Sequence, residues 1–203
     1  MLLLTGCTQV IHDARPRAQA PVAPITESQV GDLLSEDALP DDDPNSFVTV
    51  EPEECAGVAR EVDPPFIFGA KPVASDGGQY FAEFSRSVSV LEWAGVYHAD
   101  FRAKAAVDGV TRAIESCQDE SLFVTAMQGE ELHFSVQPQP HAGSPEIVLW
   151  SLTDVDWACD NAFVAKHNAA IEITTCGEIN GYDVLTLAED ALKRIEKLVN
   201  STA

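Results

Sequence analysis

Two apolar segments near the C-terminal end of the chain constrain its fold more than any other feature. Residues 158–177 read ACDNAFVAKHNAAIEITTCG, and in both halves apolar and other residues alternate. The midpoint between His167 and Asn168 predicts the turn of a β-hairpin. That turn sets Val164 opposite Ile171 and gives the hairpin one continuous apolar face.

The same register places Cys159 opposite Cys176 on the other face of the hairpin, at a separation that a disulfide can span. Cys55 and Cys117 then remain as the second pair, and Cys7 is the odd cysteine. No two cysteines have CxxC spacing, which argues against zinc ribbons and thioredoxin-like motifs. Two disulfides require an oxidising compartment. The alternative is four reduced core cysteines in a cytosolic protein.

Alternating and helical periods together indicate an α+β domain with a mostly antiparallel sheet, two main helices and two disulfides. Strands are predicted in residues 80–93 (YFAEFSRSVSVLEW), 121–128, 131–137 and 146–157, in addition to the hairpin. The strands on either side of Gly129 are predicted to form a second hairpin. Helical spacing predicts helices from Ala103 to Cys117, capped by Asp100, and from Val184 to Leu198, capped by Asp183.

The first part of the chain is predicted to be a leader and a tether. Residues 8–32 carry prolines at 16, 21 and 24 and an acidic stretch, and only residues 26–34 show a short amphipathic pattern, with Thr26 as its cap. We interpret 8–32 as a tether and acidic segment and 33–203 as the globular domain. The formal net charge of −21 argues against nucleic acid as a partner, because a phosphate backbone repels such a surface.

The segment LTGC, Leu4 to Cys7, has the pattern of a bacterial lipobox. Residues 1–7 are therefore interpreted as the end of a lipoprotein signal peptide, with Cys7 as the lipidation site and acyl chains as the membrane anchor. Only a short apolar stretch precedes Cys7, so we expect the sequence to begin inside the signal. A chance match with a cytosolic protein is the alternative.

The sequence contains none of the catalytic patterns that we sought, such as GxSxG, HExxH, a glycine-rich phosphate loop or an EF-hand. We therefore predict no enzyme, no cofactor and no metal. Asp154 and Asp156 could hold a cation, but a solvated strand end is the simpler interpretation. Large side chains that could line a cleft are Trp93, Tyr97, Trp150 and Trp157. Arg86 is a basic residue at a position of the predicted strand 80–93 that faces the apolar side. The candidate ligand-binding residues are Arg86, Trp93, Tyr97 and Trp150.

Three features together resemble a known family: PEECAGVA at residues 52–59, a helix ending at Cys117, and WACDNAFVAKHNAAIEITTCG at residues 157–177. They are similar to the PknH-like extracellular sensor domain of mycobacterial serine/threonine kinases, which also occurs as free-standing lipoproteins. The resemblance implies an α+β sensor domain, disulfides that join the first cysteine of the domain to the second and the third to the fourth, and an open cleft for an unidentified extracellular ligand.

The sequence thus predicts an extracytoplasmic, lipid-anchored sensor or ligand-binding domain of the cell envelope. The main alternative is a structural or protein-interaction lipoprotein without a small-molecule site. An envelope hydrolase is the third and least favoured hypothesis, because it needs a nucleophile beside a base.

Overall fold

Eight strands form one sheet in the order β1-β4-β5-β6-β7-β8-β3-β2, and every neighbouring pair is antiparallel. The structure is a computed structural model that describes residues 23–40, 45–82, 88–178 and 182–201. The strands are β1 Phe47–Glu51, β2 Ala74–Phe81, β3 Val88–Val96, β4 Ser121–Ala126, β5 Glu131–Pro138, β6 Ile147–Thr153, β7 Ala158–Lys166 and β8 Ala169–Gly177.

Two long helices and several short ones accompany the sheet. The α-helices are α1 Ala56–Ala59, α2 Pro65–Phe68, α3 Ala103–Cys117 and α4 Val184–Ser201, and 3₁₀ helices span Glu27–Leu33 and Glu53–Cys55. Both predicted helices are confirmed. Asp183 caps α4, because its Oδ1 accepts a hydrogen bond from the Thr186 N–H at 3.2 Å. The predicted cap of α3 is wrong, because the N-cap residue is Arg102 and not Asp100.

Helices cover both faces of the sheet and create two separate cores. On one face α3, α1 and α2 pack against residues such as Phe163 and Cys159 of β7. On the other face α4 packs against residues such as Ala162 and Val164 of the same strand, and the first 3₁₀ helix packs against α4, β2 and β3. Since successive side chains of a strand point to opposite faces, the central strands must be apolar on both parities. This explains why β7 also carries apolar residues, such as Cys159 and Phe163, on the face opposite the predicted apolar one.

The predicted register of the β7–β8 hairpin is confirmed. Val164 pairs with Ile171, and Cys159 pairs with Cys176, with which it forms a disulfide across a Cα–Cα distance of 4.1 Å. His167 occupies the turn with a φ of 54°. The second predicted disulfide, Cys55–Cys117, is also present and joins the start of α1 to the end of α3.

The single strand predicted over residues 80–93 is wrong. Phe81 pairs with Ser89 in an antiparallel ladder, so the chain reverses direction inside this segment and forms two strands, β2 and β3. The alternating pattern continues through the reversal, because residues of the same parity, odd or even, lie on the same face of the sheet in both strands. Residues 83–87 lie outside the described part of the chain.

The described chain N-terminal to β1 packs against the sheet. Ile25 and Leu33 are buried in the same core as α4. Asn168, in the β7–β8 turn, binds both the N–H and the C=O of Ile25 at 2.9 Å. Gln29 accepts a hydrogen bond from the Thr26 N–H, which confirms the predicted cap at Thr26.

Candidate functional site

A cleft of about 470 Å³ opens on the sheet face that carries α1, α2 and α3. One wall comes from β1 and β5, which lie toward one end of the sheet, and the other comes from β8, β3 and β2, which form its other end. The sheet must therefore curl so that its two ends face each other. We call this feature the acidic cleft; it is lined by Asn45, Phe47, Glu61, Phe81, Ser89, Glu130, Leu132, Trp157, Cys176 and Glu178.

The floor of the acidic cleft is apolar and is fixed by the Cys159–Cys176 disulfide. Phe47 and Cys176 are each 5% exposed, and Leu132 and Trp157 are half-buried beside them. Trp157 lies in the connection between β6 and β7, two residues before Cys159 and its disulfide. A rigid apolar floor of this kind can bind the apolar part of a small molecule.

Carboxylates form the rim of the acidic cleft. Glu61 accepts a hydrogen bond from the Phe47 N–H at 2.8 Å, and its other oxygen lies 3.8 Å from the sulfur of Cys176. Glu130 accepts a hydrogen bond from the Asn45 side chain at 3.0 Å. Glu178 follows the end of β8. The described lining thus presents acceptor oxygens and contains no lysine or arginine.

A second concavity of about 750 Å³ continues from the acidic cleft and shares Glu130, Leu132, Trp157 and Glu178 with it. It adds Asp154 and Asp156 to the carboxylates of the rim. Together the two concavities make a continuous acidic groove.

Asp154 has a local structural role. Its carboxylate accepts hydrogen bonds from the His133 and Val155 N–H groups at 2.9 and 2.6 Å. These donors lower the pKa of Asp154. Within the described ranges, no group of three or more histidine, cysteine, aspartate or glutamate side chains is arranged to hold a metal ion.

Glu172 is an ionisable group buried beneath the same face of the sheet. It lies on β8 between Phe163 of β7 and Trp93 of β3, and its Oε2 has no hydrogen-bond partner. Burial, and after it the charge of Glu61, raise the pKa of Glu172 well above its ordinary value. Glu172 is thus electrostatically coupled to a rim residue of the acidic cleft.

Three of the four predicted ligand-binding residues belong to the packed core. Trp150 has no exposed surface and donates from Nε1 to the Val58 carbonyl at 2.8 Å. Tyr97 is 3% exposed and donates from its hydroxyl to the Ile67 carbonyl at 2.8 Å. Packing therefore accounts for both side chains.

Trp93 is half-buried and contacts Phe68 edge-on, with ring centroids 5.5 Å apart. It shares a sheet face with Trp150 and Tyr97, but none of the three lines the acidic cleft. Arg86 and Cys7 lie outside the described residues. No described helix is long and apolar enough to cross a membrane.

The residues that do line the acidic cleft include several that sequence reasoning missed, above all Glu61 and Leu132. No local sequence pattern marks either residue as part of a site. Glu61 is one of many acidic residues in an acidic stretch, and Leu132 is an apolar residue at the start of an alternating strand. Trp157, which the sequence names as a side chain that could line a cleft but which is not among the four candidate ligand-binding residues, does line the acidic cleft.

Comparisons with known proteins agree on one family. The family model described as PknH-like extracellular domain matches residues 16–195. Among solved structures, the extracellular domain of PknH from Mycobacterium tuberculosis matches with a TM-score of 0.64 and 18% identity, over 89% of this chain and 99% of that one. At this identity the structural match shows a shared fold. A search of curated protein sequences finds no match.

Proposed function

The chain belongs to the PknH-like extracellular domain family, and from this premise we propose that it is a non-catalytic, lipid-anchored sensor domain that binds a small ligand in the acidic cleft. The observation that carries the proposal is the cleft itself, where an apolar floor and several carboxylates converge on one concave surface. Ligand sites commonly combine such a floor with a few polar groups that fix orientation.

The compartment assigned here is extracytoplasmic. The family is extracellular, and both disulfides suit an oxidising environment. The lipid anchor on Cys7 is proposed from the LTGC sequence and from the proline-bearing segment that follows it. An anchored domain needs such a spacer to stand clear of the membrane surface.

The rim determines which ligands suit the cleft. Glu61, Glu130 and Glu178 present acceptor oxygens, and the adjoining groove adds Asp154 and Asp156. An anionic ligand would be repelled, whereas a ligand with a cationic or hydrogen-bond-donating group and an apolar body would be complementary. The rings of Trp157 and Phe81 offer apolar surface for the body of such a ligand.

Native mass spectrometry of the protein isolated from its own cell envelope tests this proposal. We expect a bound small molecule on the wild-type protein and on Phe123→Ala, and its loss from Trp157→Ala. Phe123 is a matched control, because it is an exposed aromatic residue, 51% accessible, that lies outside the cleft.

The absence of any bound molecule from every form, or its retention by Trp157→Ala, would contradict the proposal. The first outcome would favour a structural or protein-interaction lipoprotein.

A further inference from the structure

A second cavity, of about 640 Å³, lies at the α4 side of the sheet. It is formed where the C-terminal end of the first 3₁₀ helix, the end of β2 and helix α4 meet. We call it the helix-side cavity; its polar lining consists of Ser35, Asp37, Tyr80, Tyr182, Asp190 and Arg194. Tyr80 packs against the core that includes α4, and Arg194 binds the carbonyl of Leu33 in that core. Cys176 and Phe47 of the acidic cleft belong to the core on the opposite face. The two sites are therefore built on opposite faces.

A buried carboxylate lies behind the wall of the helix-side cavity. Glu92 of β3 is 0% exposed, and its Oε2 accepts hydrogen bonds from the Ser35 N–H and from Nη2 of Arg194, both at 2.8 Å. Ser35 and Arg194 both line the cavity. Glu92 therefore fixes two residues of the cavity wall without being exposed itself.

The charges of the helix-side cavity are largely compensated within the protein. Arg194 pairs with Glu92 at 2.8 Å, and Asp190 pairs with Lys193 at 2.9 Å. An anion would meet Asp37 and Asp190 at the cavity wall, and a cation would meet the guanidinium of Arg194. The lining therefore disfavours strongly charged ligands of either sign and suits a neutral one.

Donors and acceptors both line the cavity, together with the three aromatic rings of Tyr80, Phe81 and Tyr182. The Tyr80 hydroxyl stays protonated, because burial and then the charge of Glu92 raise its pKa. Tyr182 lies close enough to Tyr80 to affect it electrostatically. Carboxylates and a guanidinium can bind adjacent hydroxyls of a sugar, while a tyrosine ring can cover the apolar face of its ring.

We propose that the helix-side cavity binds a neutral saccharide of one or two rings through Tyr80, Tyr182 and Arg194. The volume lies within the usual range for small-molecule sites. Among the described lining residues only Phe81 is common to this site and the acidic cleft, so the failure of one proposal leaves the other standing.

An NMR titration of the isotope-labelled full chain with glucose, galactose, maltose and cellobiose tests the proposal. We expect at least one sugar to shift the backbone signals of Ser35, Leu187 and Asp190 in a saturable manner. Tyr182→Ala should weaken the affinity roughly tenfold, by loss of a stacking face and a hydroxyl. Trp157→Ala should leave the affinity unchanged, because Trp157 lies in the acidic cleft.

Inorganic phosphate and spermidine, titrated in parallel, test the charge argument, and neither should shift these signals. The proposal is overturned if no sugar shifts them, if the sugar affinity of Tyr182→Ala equals that of the wild type, or if phosphate or spermidine binds there in place of the sugars. Unchanged signals from the β7–β8 hairpin in Tyr182→Ala would show that the variant is folded.

Discussion

Arg194 of helix α4 donates a hydrogen bond from Nη2 to Oε2 of Glu92 on β3 at 2.8 Å. The carboxylate is 0% exposed, and Nε of the same guanidinium donates to the Leu33 carbonyl at 2.7 Å. Arg194 therefore joins the C-terminal helix, the central sheet and the first 3₁₀ helix. Burial raises the pKa of Glu92, while the positive charge of Arg194 opposes that rise.

Replacement of Arg194 by alanine should destabilise the protein by about 3–5 kcal/mol, because it leaves a buried carboxylate without its cation. The free energy of unfolding from denaturant titration measures this loss. Lys193→Ala is the matched control: the neighbouring Lys193 pairs with Asp190 at the surface, and its loss should leave the free energy of unfolding nearly unchanged.

The double variant Glu92→Leu/Arg194→Leu should lose less stability than Arg194→Ala alone, since it removes both buried charges together. A double variant at least as unstable as the single one would show that packing of the arginine side chain, and not charge pairing, holds this junction.

Glu172→Met should stabilise the protein at neutral pH by about 1–3 kcal/mol, because it removes a buried polar group whose Oε2 has no partner. An acid whose pKa is raised on folding binds its proton more tightly in the native state than in the unfolded chain. Its favourable contribution is complete below the ordinary glutamate pKa of 4.5 and is lost as the pH rises toward the raised value.

The advantage of Glu172→Met over the wild type should therefore grow as the pH rises from 4.5 to neutrality. Denaturant unfolding of both proteins across that range measures this difference. Carboxylates with a lowered pKa, such as Asp154, contribute equally to the stability of both proteins and therefore do not affect the difference between them. A difference that is constant with pH would contradict the assignment of a raised pKa.

The features that could be predicted from the sequence are those that depend on short-range periodicity. The β7–β8 register follows from alternation around a short turn, and the opposed positions of Cys159 and Cys176 follow from it. The reversal between β2 and β3 was missed for the same reason, since a period of two residues does not show where a chain turns back. Glu172 gave a signal that went unused, because a charged residue within an otherwise buried strand is a polar group inside a core.

The acidic cleft could not be predicted, because its residues come from distant segments. Phe47, Leu132 and Cys176 meet only through the curl of the whole sheet, and neither composition nor periodicity determines that curl. Two of the large aromatic candidates are explained by packing instead. Trp150 and Tyr97 have polar groups that bind backbone carbonyls, so each satisfies its polar atom inside the core.

Removal of the two disulfides should have unequal costs. Cys55 and Cys117 are 62 residues apart, and Cys159 and Cys176 are 17 apart. The chain-entropy model gives about 4 kcal/mol for the longer loop and about 3 kcal/mol for the shorter one. Unfolding of the two paired cysteine-to-alanine variants measures these costs. A greater loss from the shorter loop would show that native-state contacts around Cys159, rather than loop length, dominate.

Cys7→Ser should release the protein from the membrane when it is expressed from its natural gene. A diacylglyceryl group on Cys7 supplies two acyl chains, whereas one chain gives only marginal membrane binding. We expect the wild type to enter the detergent phase of a Triton X-114 separation and the variant to stay in the aqueous phase. Mass spectrometry of the wild type should find an acylated Cys7 as the first residue.

Cys55→Ala/Cys117→Ala is the control for the loss of cysteines, and it should remain in the detergent phase. An unmodified Cys7 in the mature protein would contradict the anchor, and the extracytoplasmic assignment would then depend on the family and the disulfides alone.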